Sequence, residues 1–270
     1  MIWKTIAHSV TALALAAAVG TAAAADKPSF VQGGKFTVCT DPSFPPMEYF
    51  KVSGDKEPAG FDVDLMRALA KGWEANLEIV SMDFAGLLPS LEAKRCDAVI
   101  SGMFVTDKRK QSFDAVTYLD TVTILVAKAG TEHAKSIEDL AGKTVAVQTG
   151  TTFVQLFEKI NADLKAKGLK PVDVQLYPKA SDGIQQVLIG RAYATTTQDT
   201  ELAFRELQNP GALVSIYEFE DEQSFGVFVR KGGSDGAAIN QALMSLKDNG
   251  TLAQIAQSWH LNPEKLSVRQ

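Results

Sequence analysis

Short apolar segments alternate with amphipathic segments along most of the chain, and this alternation limits the fold more than any other feature. Apolar runs bounded by turn residues predict strands, at 35–40, 77–80, 98–101, 123–128, 143–148, 172–177, 192–197 and 225–230. Apolar residues at helical spacing predict helices, at 61–73, 84–94 with an interruption near Pro89, 153–164, 183–189, 200–207, 237–247 and 252–259. Strands that alternate with helices favour a parallel α/β sheet, in which ligands bind beyond the carboxyl ends of the strands.

The stretch 97–114 combines a predicted strand end with residues suited to binding an anion. Gly102 follows the strand at 98–101, and Thr106 is a good N-cap for a helix that begins at Asp107. Arg109 then lies within the first turn of that helix. An arginine fork and oriented helix N–H groups together suit a carboxylate. The plainer alternative is a strand-to-helix turn with a solvated arginine.

The N-terminal segment predicts export. Lys4 precedes an apolar run to Val19, and the alanines at 22–25 form an Ala-x-Ala cleavage site, so 1–25 is predicted to be a signal peptide cleaved near Ala25. No Cys follows the run, which argues against a lipoprotein anchor. Cleavage moves the formal net charge from −5 to about −6. A mildly acidic, mixed surface gives no reason to expect nucleic acid.

Cysteine and histidine usage excludes two further classes of protein. Only Cys39 and Cys96 are present, too few for a disulfide-stapled scaffold. His133 and His260 remain after cleavage, and neither has another ligand at metal-binding spacing. We therefore expect no metal site and no cofactor.

Several motifs occur together in one order along the chain. They are 40–46 (TDPSFPP), 60–65 (GFDVDL), 87–91 (LLPSL), 96–103 (CDAVISGM) with Thr106 and Arg109, 150–152 (GTT), and 249–251 (NGT) with Trp259. In this order and spacing they resemble the periplasmic solute-binding proteins of ABC transporters, in the amino-acid-binding branch (bacterial extracellular solute-binding proteins, family 3). The resemblance covers nearly the whole mature chain.

The resemblance implies a type II periplasmic binding protein fold. Two mixed β-sheets flanked by helices would form two lobes joined by a two-strand hinge. Lobe 1 would comprise 26–126 and 226–270, and lobe 2 would comprise 127–225, with crossings near 122–128 and 224–229. Such a protein, expected to be a periplasmic monomer, would capture a small carboxylate ligand and deliver it to an inner-membrane ABC permease. An L-amino acid is favoured, and a polar or amide side chain is weakly indicated by the residues at 195–198 and two phenylalanines.

The resemblance also implies residue roles. Arg109 would pair with the ligand's carboxylate, and Thr151 and Thr152 would reach it from lobe 2. Phe44 and Phe84 would pack on the ligand, although ordinary core packing is their alternative. The residues that the resemblance places at the ligand are Asp41, Phe44, Phe84, Ser101, Gly102, Met103, Phe104, Thr106, Arg109, Thr151, Thr152, Gln198 and Asp199.

The chain departs from the family pattern at the acid that holds the ligand's ammonium. An ungapped alignment puts Gln198 there, with Asp199 one residue late. Adjacent strand residues face opposite sides of a sheet. Either the strand end shifts and Asp199 enters the pocket, which we favour, or Gln198 faces the ligand. The second case weakens the expectation of an ammonium, because a buried cation needs a charge partner.

The implied strand order allows a prediction for the cysteines. If 35–40 and 97–101 are parallel neighbours, Cys39 lies near one carboxyl end and Cys96 before the other strand's start. At about 3.3 Å per residue, this separates them by more than about 10 Å. A disulfide needs Cα atoms within roughly 7 Å. We therefore predict two free, buried thiols.

Two enzyme alternatives remain open. The segment 232–236 (GGSDG) matches the G-x-S-x-G nucleophile motif and is followed by Asp248 and His260 in hydrolase order. Too little chain follows Ser234 to build the rest of such a fold, so a helix N-cap is the better interpretation. Some relatives of the resembled family are cyclohexadienyl-type dehydratases with an added acid in the cleft. The acids at 220–222 are candidates for that role.

Overall fold

The computed structural model describes residues 27–52 and 54–270, so the predicted signal peptide lies outside the described residues. The strands are β1 (Lys35–Thr40), β2 (Ser43–Phe44), β3 (Glu48–Tyr49), β4 (Asn76–Ser81), β5 (Ala98–Val99), β6 (Phe113–Lys128), β7 (Thr144–Gln148), β8 (Asp173–Tyr177), β9 (Ala194–Gln198) and β10 (Leu213–Arg230). The helices are α1 (Phe61–Gly72), α2 (Leu87–Glu92), α3 (Asp107–Ser112), α4 (Thr152–Ala166), α5 (Ala180–Leu188), α6 (Asp199–Gln208), α7 (Asp235–Asp248) and α8 (Thr251–Ser258). Within these two ranges, no helix combines the length and apolar character needed to cross a membrane.

Two long antiparallel strands run through the middle of the fold. β6 and β10 pair from Leu213 opposite Lys128 to Arg230 opposite Phe113. The resulting strand order is β4-β1-β5-β10-β6-β9-β7-β8. β1 is parallel to β4 and β5 on one side, and β7 is parallel to β8 and β9 on the other. The central pair therefore makes each half of the sheet mixed and joins the two halves.

The predicted α/β fold with two lobes sharing a strand pair is confirmed. We call the half that carries β1, β4 and β5 lobe 1, and the half that carries β7, β8 and β9 lobe 2. Helices α1–α3, α7 and α8 pack in lobe 1, and α4–α6 pack in lobe 2. The sequence pattern missed most of β6 and the first half of β10, where polar residues interrupt the apolar runs. The exact lobe boundaries stay a prediction.

Two lobe 1 helices, α1 and α2, show how local sequence and packing determine helix position. α1 buries Phe61, Leu65 and Leu69 along one face, and Asp64 accepts a hydrogen bond from the indole Nε1 of Trp259, 2.8 Å away, which ties α1 to the last helix. The predicted interruption near Pro89 is wrong. A 3₁₀ turn at Phe84–Gly86 precedes α2, and Pro89 falls in the first turn of α2, where a missing N–H costs no intrahelical bond.

The cysteine prediction is also wrong. Cys39 and Cys96 form a disulfide with their Cα atoms 5.8 Å apart. The strands are parallel neighbours as expected, but β5 begins only at Ala98. Cys96 belongs to the turn after α2, in which Lys94 has a positive φ of 59°. Because this turn is not extended, the strand spacing does not separate the cysteines. Both side chains are buried in one apolar cluster.

Removal of the disulfide should destabilise the protein. The bridge closes a loop with a sequence separation of 57 residues, and the chain-entropy model assigns such a loop about 4 kcal/mol of the free energy of unfolding. We expect urea unfolding under reducing conditions to show a loss of that order. The Cys39→Ala/Cys96→Ala variant should have the same free energy of unfolding as the reduced protein, and reductant should not change it. Two titratable thiols in the denatured, unreduced chain would contradict the bridge.

Candidate ligand-binding site

A cavity lies between the two lobes, beyond the carboxyl ends of β1 and β5. The empty space there measures about 540 Å³, a figure that includes adjoining solvent. Lobe 1 contributes Asp41, Phe44, Glu48, Phe84, Ser101, Gly102, Phe104 and Arg109 to the lining, and lobe 2 contributes Gln148, Thr151, Thr152, Phe153, Ala180 and the residues 195–198. The cleft is closed, because contacts between side chains and backbone of the two lobes cross it on several sides.

Arg109 provides the unpaired charge of the cavity. Its Nη1 donates to the carbonyl oxygen of Phe104 at 2.8 Å, and its Nη2 donates across the cleft to that of Gly150 at 3.5 Å. The guanidinium also lies over the ring of Phe84, 5.8 Å from its centre. Among the described residues, no carboxylate lies within 4 Å of it. Burial lowers the pKa of Arg109 to about 10, so the group stays charged at neutral pH. This arrangement can bind an anion.

The start of α4 faces the same cavity from lobe 2. Thr151 and Thr152 line it, and the Thr151 hydroxyl donates to the carbonyl oxygen of Gln148 at 2.7 Å. The first N–H groups of a helix lack intrahelical partners and favour negative charge. Gly150 has a φ of +83°, and a Cβ there would lie 2.7 Å from Ala85 Cα in lobe 1. Glycine at this position therefore allows the lobes to approach.

Asp41 is bound by lobe 2 side chains on both carboxylate oxygens. Lys179 Nζ lies 3.1 Å from Oδ1, and Gln148 Nε2 donates to Oδ2 at 2.7 Å. Burial raises the pKa of Asp41, and the charge of Lys179 opposes this rise. Lys179 also pairs with Asp83 at 2.7 Å. These contacts link the lobes at one edge of the cavity.

A buried pair of carboxyl groups supports the lobe 1 side of the cavity. Glu48 accepts a hydrogen bond from the Ser101 hydroxyl at 2.9 Å, and Asp62 accepts from the Gly102 N–H at 2.7 Å and the Tyr118 hydroxyl at 2.9 Å. Burial, together with the adjacent Asp62, raises the pKa of Glu48 well above its usual range, while burial raises that of Asp62 to about 6. We infer that Glu48 holds the proton and donates it to Asp62.

This pair was missed by the sequence analysis. Glu48 follows a proline-rich loop, and Asp62 was read only as part of a helix start. Nothing in the local pattern indicates that the two side chains meet. The pair also occupies the N–H of Gly102, a residue that the resemblance places at the ligand.

Gln198, rather than Asp199, lines the cavity at the end of β9. Asp199 instead accepts hydrogen bonds from the Thr121 hydroxyl at 2.5 Å and from the N–H of Thr200 at 2.8 Å. It therefore fixes the start of α6 against the central strand β6. From the sequence we favoured Asp199 as the residue that enters the pocket. In the structure, Asp199 does not line the cavity.

Most of the other expected residues line the cavity, and two of them, Met103 and Thr106, do not. The cavity brings together Asp41, Phe44, Phe84, Ser101, Gly102, Phe104, Arg109, Thr151, Thr152 and Gln198. Met103 is buried in the apolar cluster around the disulfide, and Thr106 caps α3 by accepting a hydrogen bond from the Arg109 N–H. The threonines at 195–197, which the sequence analysis connected with the ligand's side chain, also line the cavity, and the lining residues that it did not name as part of the site are Glu48, Gln148, Phe153 and Ala180.

The two enzyme patterns lie elsewhere. Ser234 immediately precedes α7, and no hydrogen bond joins it to Asp248 or His260 in the part of the chain that the structure describes. The acids at 220–222 are exposed on β10 and do not line the cavity. Within the described ranges, no group of three or more His, Cys, Asp or Glu side chains could hold a metal ion.

Two lobes that close over a cavity with an unpaired cation define a two-lobed ligand-binding protein. The chain belongs to the bacterial extracellular solute-binding proteins, family 3, whose family model matches residues 36–262. The lysine/arginine/ornithine-binding periplasmic protein of Escherichia coli (strain K12) is 30% identical over 263 residues, covering 93% of this chain and 96% of that protein.

Solved structures give the same assignment. An ancestral arginine-binding protein bound to arginine aligns with a TM-score of 0.76 and 33% identity, over 84% of this chain and 98% of the other. The ancestral amino acid-binding protein AncCDT-1, a precursor of cyclohexadienyl dehydratase, aligns with a TM-score of 0.74 and 27% identity, over 85% and 96%.

The buried carboxyl pair predicts a pH dependence of stability. Because the folded-state pKa of Glu48 lies above its ordinary value of 4.5, the stabilisation is complete below that value and is lost as pH rises through the folded pKa. The free energy of unfolding should fall by about 1.4 kcal/mol per pH unit in that window. Glu48→Gln keeps a donor for Asp62 and should remove the Glu48 part of the slope in urea unfolding between pH 4.5 and neutrality, while Asp62, whose pKa is raised to about 6, still contributes below that pH.

The exposed Glu57 offers a matched control for this measurement. Glu57→Gln removes a carboxylate of the same type from the surface of the same lobe, so its slope should equal that of the wild type. An unchanged slope in Glu48→Gln would contradict the assignment of the proton.

Proposed function

We propose that this protein captures a free L-amino acid in the cavity and delivers it to an ABC permease. One observation carries the proposal: the Arg109 guanidinium lies in a closed cleft with carbonyl oxygens as its hydrogen-bond partners. Removing a charge from water costs free energy unless a partner of opposite charge replaces the water. The α-carboxylate of an amino acid supplies that partner. The names of the relatives, which bind amino acids, support this ligand class.

In the proposed pose, the carboxylate lies between the lobes. Arg109 holds it from lobe 1 with parallel N–H donors. Thr151 and Thr152, at the start of α4, hold it from lobe 2. Phe44 and Phe84 pack on the apolar stem of the ligand. Closure of the lobes around the central strand pair then completes the site.

The α-ammonium lies at the end of β9. Gln198 lines the cavity and can accept a hydrogen bond from the ammonium through its amide oxygen, as can the threonine hydroxyls before it. The Asp199 carboxylate already accepts hydrogen bonds from the Thr121 hydroxyl and from the N–H of Thr200 at the start of α6. We therefore assign the ammonium contact to Gln198.

We propose a cellular setting that the family and the N-terminal sequence support. The chain is exported to the periplasm, its signal peptide is cleaved near Ala25, and the mature protein acts as a monomer that docks on an inner-membrane permease. Lobe 1 comprises 26–126 and 226–270, and lobe 2 comprises 127–225. The protein acts by binding, without turnover of its ligand.

A cleft enzyme is the second candidate, because a protonated Glu48 lines the cavity and one aligned structure is a dehydratase precursor. However, we infer that Glu48 donates its proton to Asp62, and the Oε2 atom of Glu48 is buried away from solvent. Incubation with cyclohexadienyl acids tests this candidate. Product formation that Glu48→Gln abolishes would replace binding by catalysis.

A thermal-shift screen identifies the ligand. Each of the twenty amino acids, with its decarboxylated and deaminated analogues, is tested for a rise in melting temperature, because tight binding stabilises the native state by mass action. We expect one or a few amino acids to stabilise, and their decarboxylated analogues to have no effect. Stabilisation by the amine alone would contradict the Arg109 pose.

Arg109→Ala should weaken binding of the identified amino acid by about 2 to 5 kcal/mol, because the carboxylate is left without its charge partner in a closed cleft. Isothermal titration calorimetry measures the change. Lys110→Ala is the matched control, since it removes an exposed positive charge from the same helix. Equal affinity of the wild type and Arg109→Ala would refute the pose.

A further inference from the structure

Few groups in the cavity could pair with a charged side chain of the ligand. Among the described residues, Asp41 and Glu48 are the carboxyl groups that line it. Burial and the adjacent Asp62 raise the pKa of Glu48 well above its usual range, which favours its neutral form, and Glu48 accepts a hydrogen bond from the Ser101 hydroxyl. It is therefore not available as an anion. Asp41 is the remaining acid that could pair with a cationic side chain.

Both carboxylate oxygens of Asp41 already have a partner from lobe 2. Lys179 occupies Oδ1 and Gln148 occupies Oδ2. The Asp41 side chain is only 1% exposed, whereas that of Lys179 is 34% exposed. An entering ammonium or guanidinium would thus have to compete with an ammonium and an amide that the protein already provides.

The local structure holds Lys179 in this position. It lies directly before α5, and the N–H of Ala180 donates across the cleft to the hydroxyl of Ser43 at 3.1 Å. Asp83 gives the Lys179 ammonium a second anionic partner from lobe 1 at 2.7 Å. The lysine is therefore fixed by its own two ion pairs with lobe 1 and by the hydrogen bond of the next residue to Ser43.

These observations lead to a charge balance for the closed site. Arg109 takes the ligand's carboxylate, and Lys179 neutralises Asp41, while Asp83, the other partner of Lys179, does not line the cavity. A cationic ligand side chain would bring an extra positive charge that has no anion to meet, beside Lys179. An anionic side chain would face Asp41 without a free cation. An uncharged polar side chain can instead use Gln148 and the threonine hydroxyls of β9.

We propose that Lys179 determines the ligand's charge class: by neutralising Asp41 from the opposite lobe, it restricts the site to amino acids with uncharged side chains. This inference rests on the proposed function and departs from the arginine and lysine named for the relatives. Loss of Lys179 frees Asp41 for a cationic side chain.

Isothermal titration calorimetry with L-arginine and L-citrulline tests this directly. Citrulline has the shape of arginine with an uncharged end group, and ornithine and glutamine provide a shorter pair. The wild type should bind the uncharged member of each pair at least about tenfold more tightly, and Lys179→Met should shift each ratio toward the cation by about tenfold. Lys179→Gln provides a second variant should the first unfold.

Two controls separate the role of Lys179 from general effects of charge. Lys167→Met removes an exposed lobe 2 lysine that pairs with Glu138 rather than with Asp41, so the ratios should not change. Asp41→Asn in the Lys179→Met background should abolish the gain for arginine, because Asp41 is its source.

The outcomes distinguish the inference from the proposed function. Tightest wild-type binding to a cationic amino acid overturns the inference and leaves amino acid capture intact. Unchanged ratios in both Lys179 variants overturn it as well. If no amino acid binds the wild type in the full screen, the proposed function fails, and the inference falls with it.

Discussion

The Arg109 guanidinium, held in a closed cleft by carbonyl oxygens, is the interaction on which the rest of the site depends. A charge in such a place requires an anion or water. The fold brings two features to it, the start of α4 and the ring of Phe84, that favour an anion without supplying one. A protein whose cleft keeps this charge unpaired is suited to close around a carboxylate that arrives from outside.

The acids around the cavity are each satisfied internally. Asp41 is paired by Lys179 across the cleft, burial and the adjacent Asp62 raise the pKa of Glu48 and so favour its neutral form, and Asp199 accepts a hydrogen bond from Thr121 at the edge of lobe 2. This distribution leaves Arg109 as the one unbalanced charge of the described lining. It also explains why a closed cleft can form: its cross-lobe contacts are ion pairs and hydrogen bonds between complementary groups.

Much of the fold could be predicted from the sequence, because the strand-turn-helix segment at 97–114 and the apolar faces of helices such as α4 are local patterns. The errors have local causes too. Cys96 lies in a turn, where strand spacing does not apply, so its distance from Cys39 could not be obtained by counting residues. Polar residues interrupt the apolar runs in much of β6 and in the first half of β10. The apolar pattern therefore does not reveal these strands, which pair with each other along their length.

The candidate site was predictable where one residue carries the chemistry, as with Arg109, and less so where two distant residues must meet. Glu48 and Asp62, or Asp41 and Lys179, become pairs only after folding, and neither member is unusual by itself. The choice between Gln198 and Asp199 depended on where β9 ends, which is a matter of one residue. Element ends are set by tertiary contacts, here the hydrogen bond from Thr121 to Asp199.

The most direct test of this account is a crystal structure of the protein with its amino acid bound. The account predicts that both carboxylate oxygens of the ligand lie about 2.7 to 2.9 Å from the guanidinium nitrogens of Arg109, while Asp41 keeps its contacts with Lys179 and Gln148. A ligand whose carboxylate binds elsewhere, with Arg109 still bonded only to the carbonyl oxygens of Phe104 and Gly150, would contradict it.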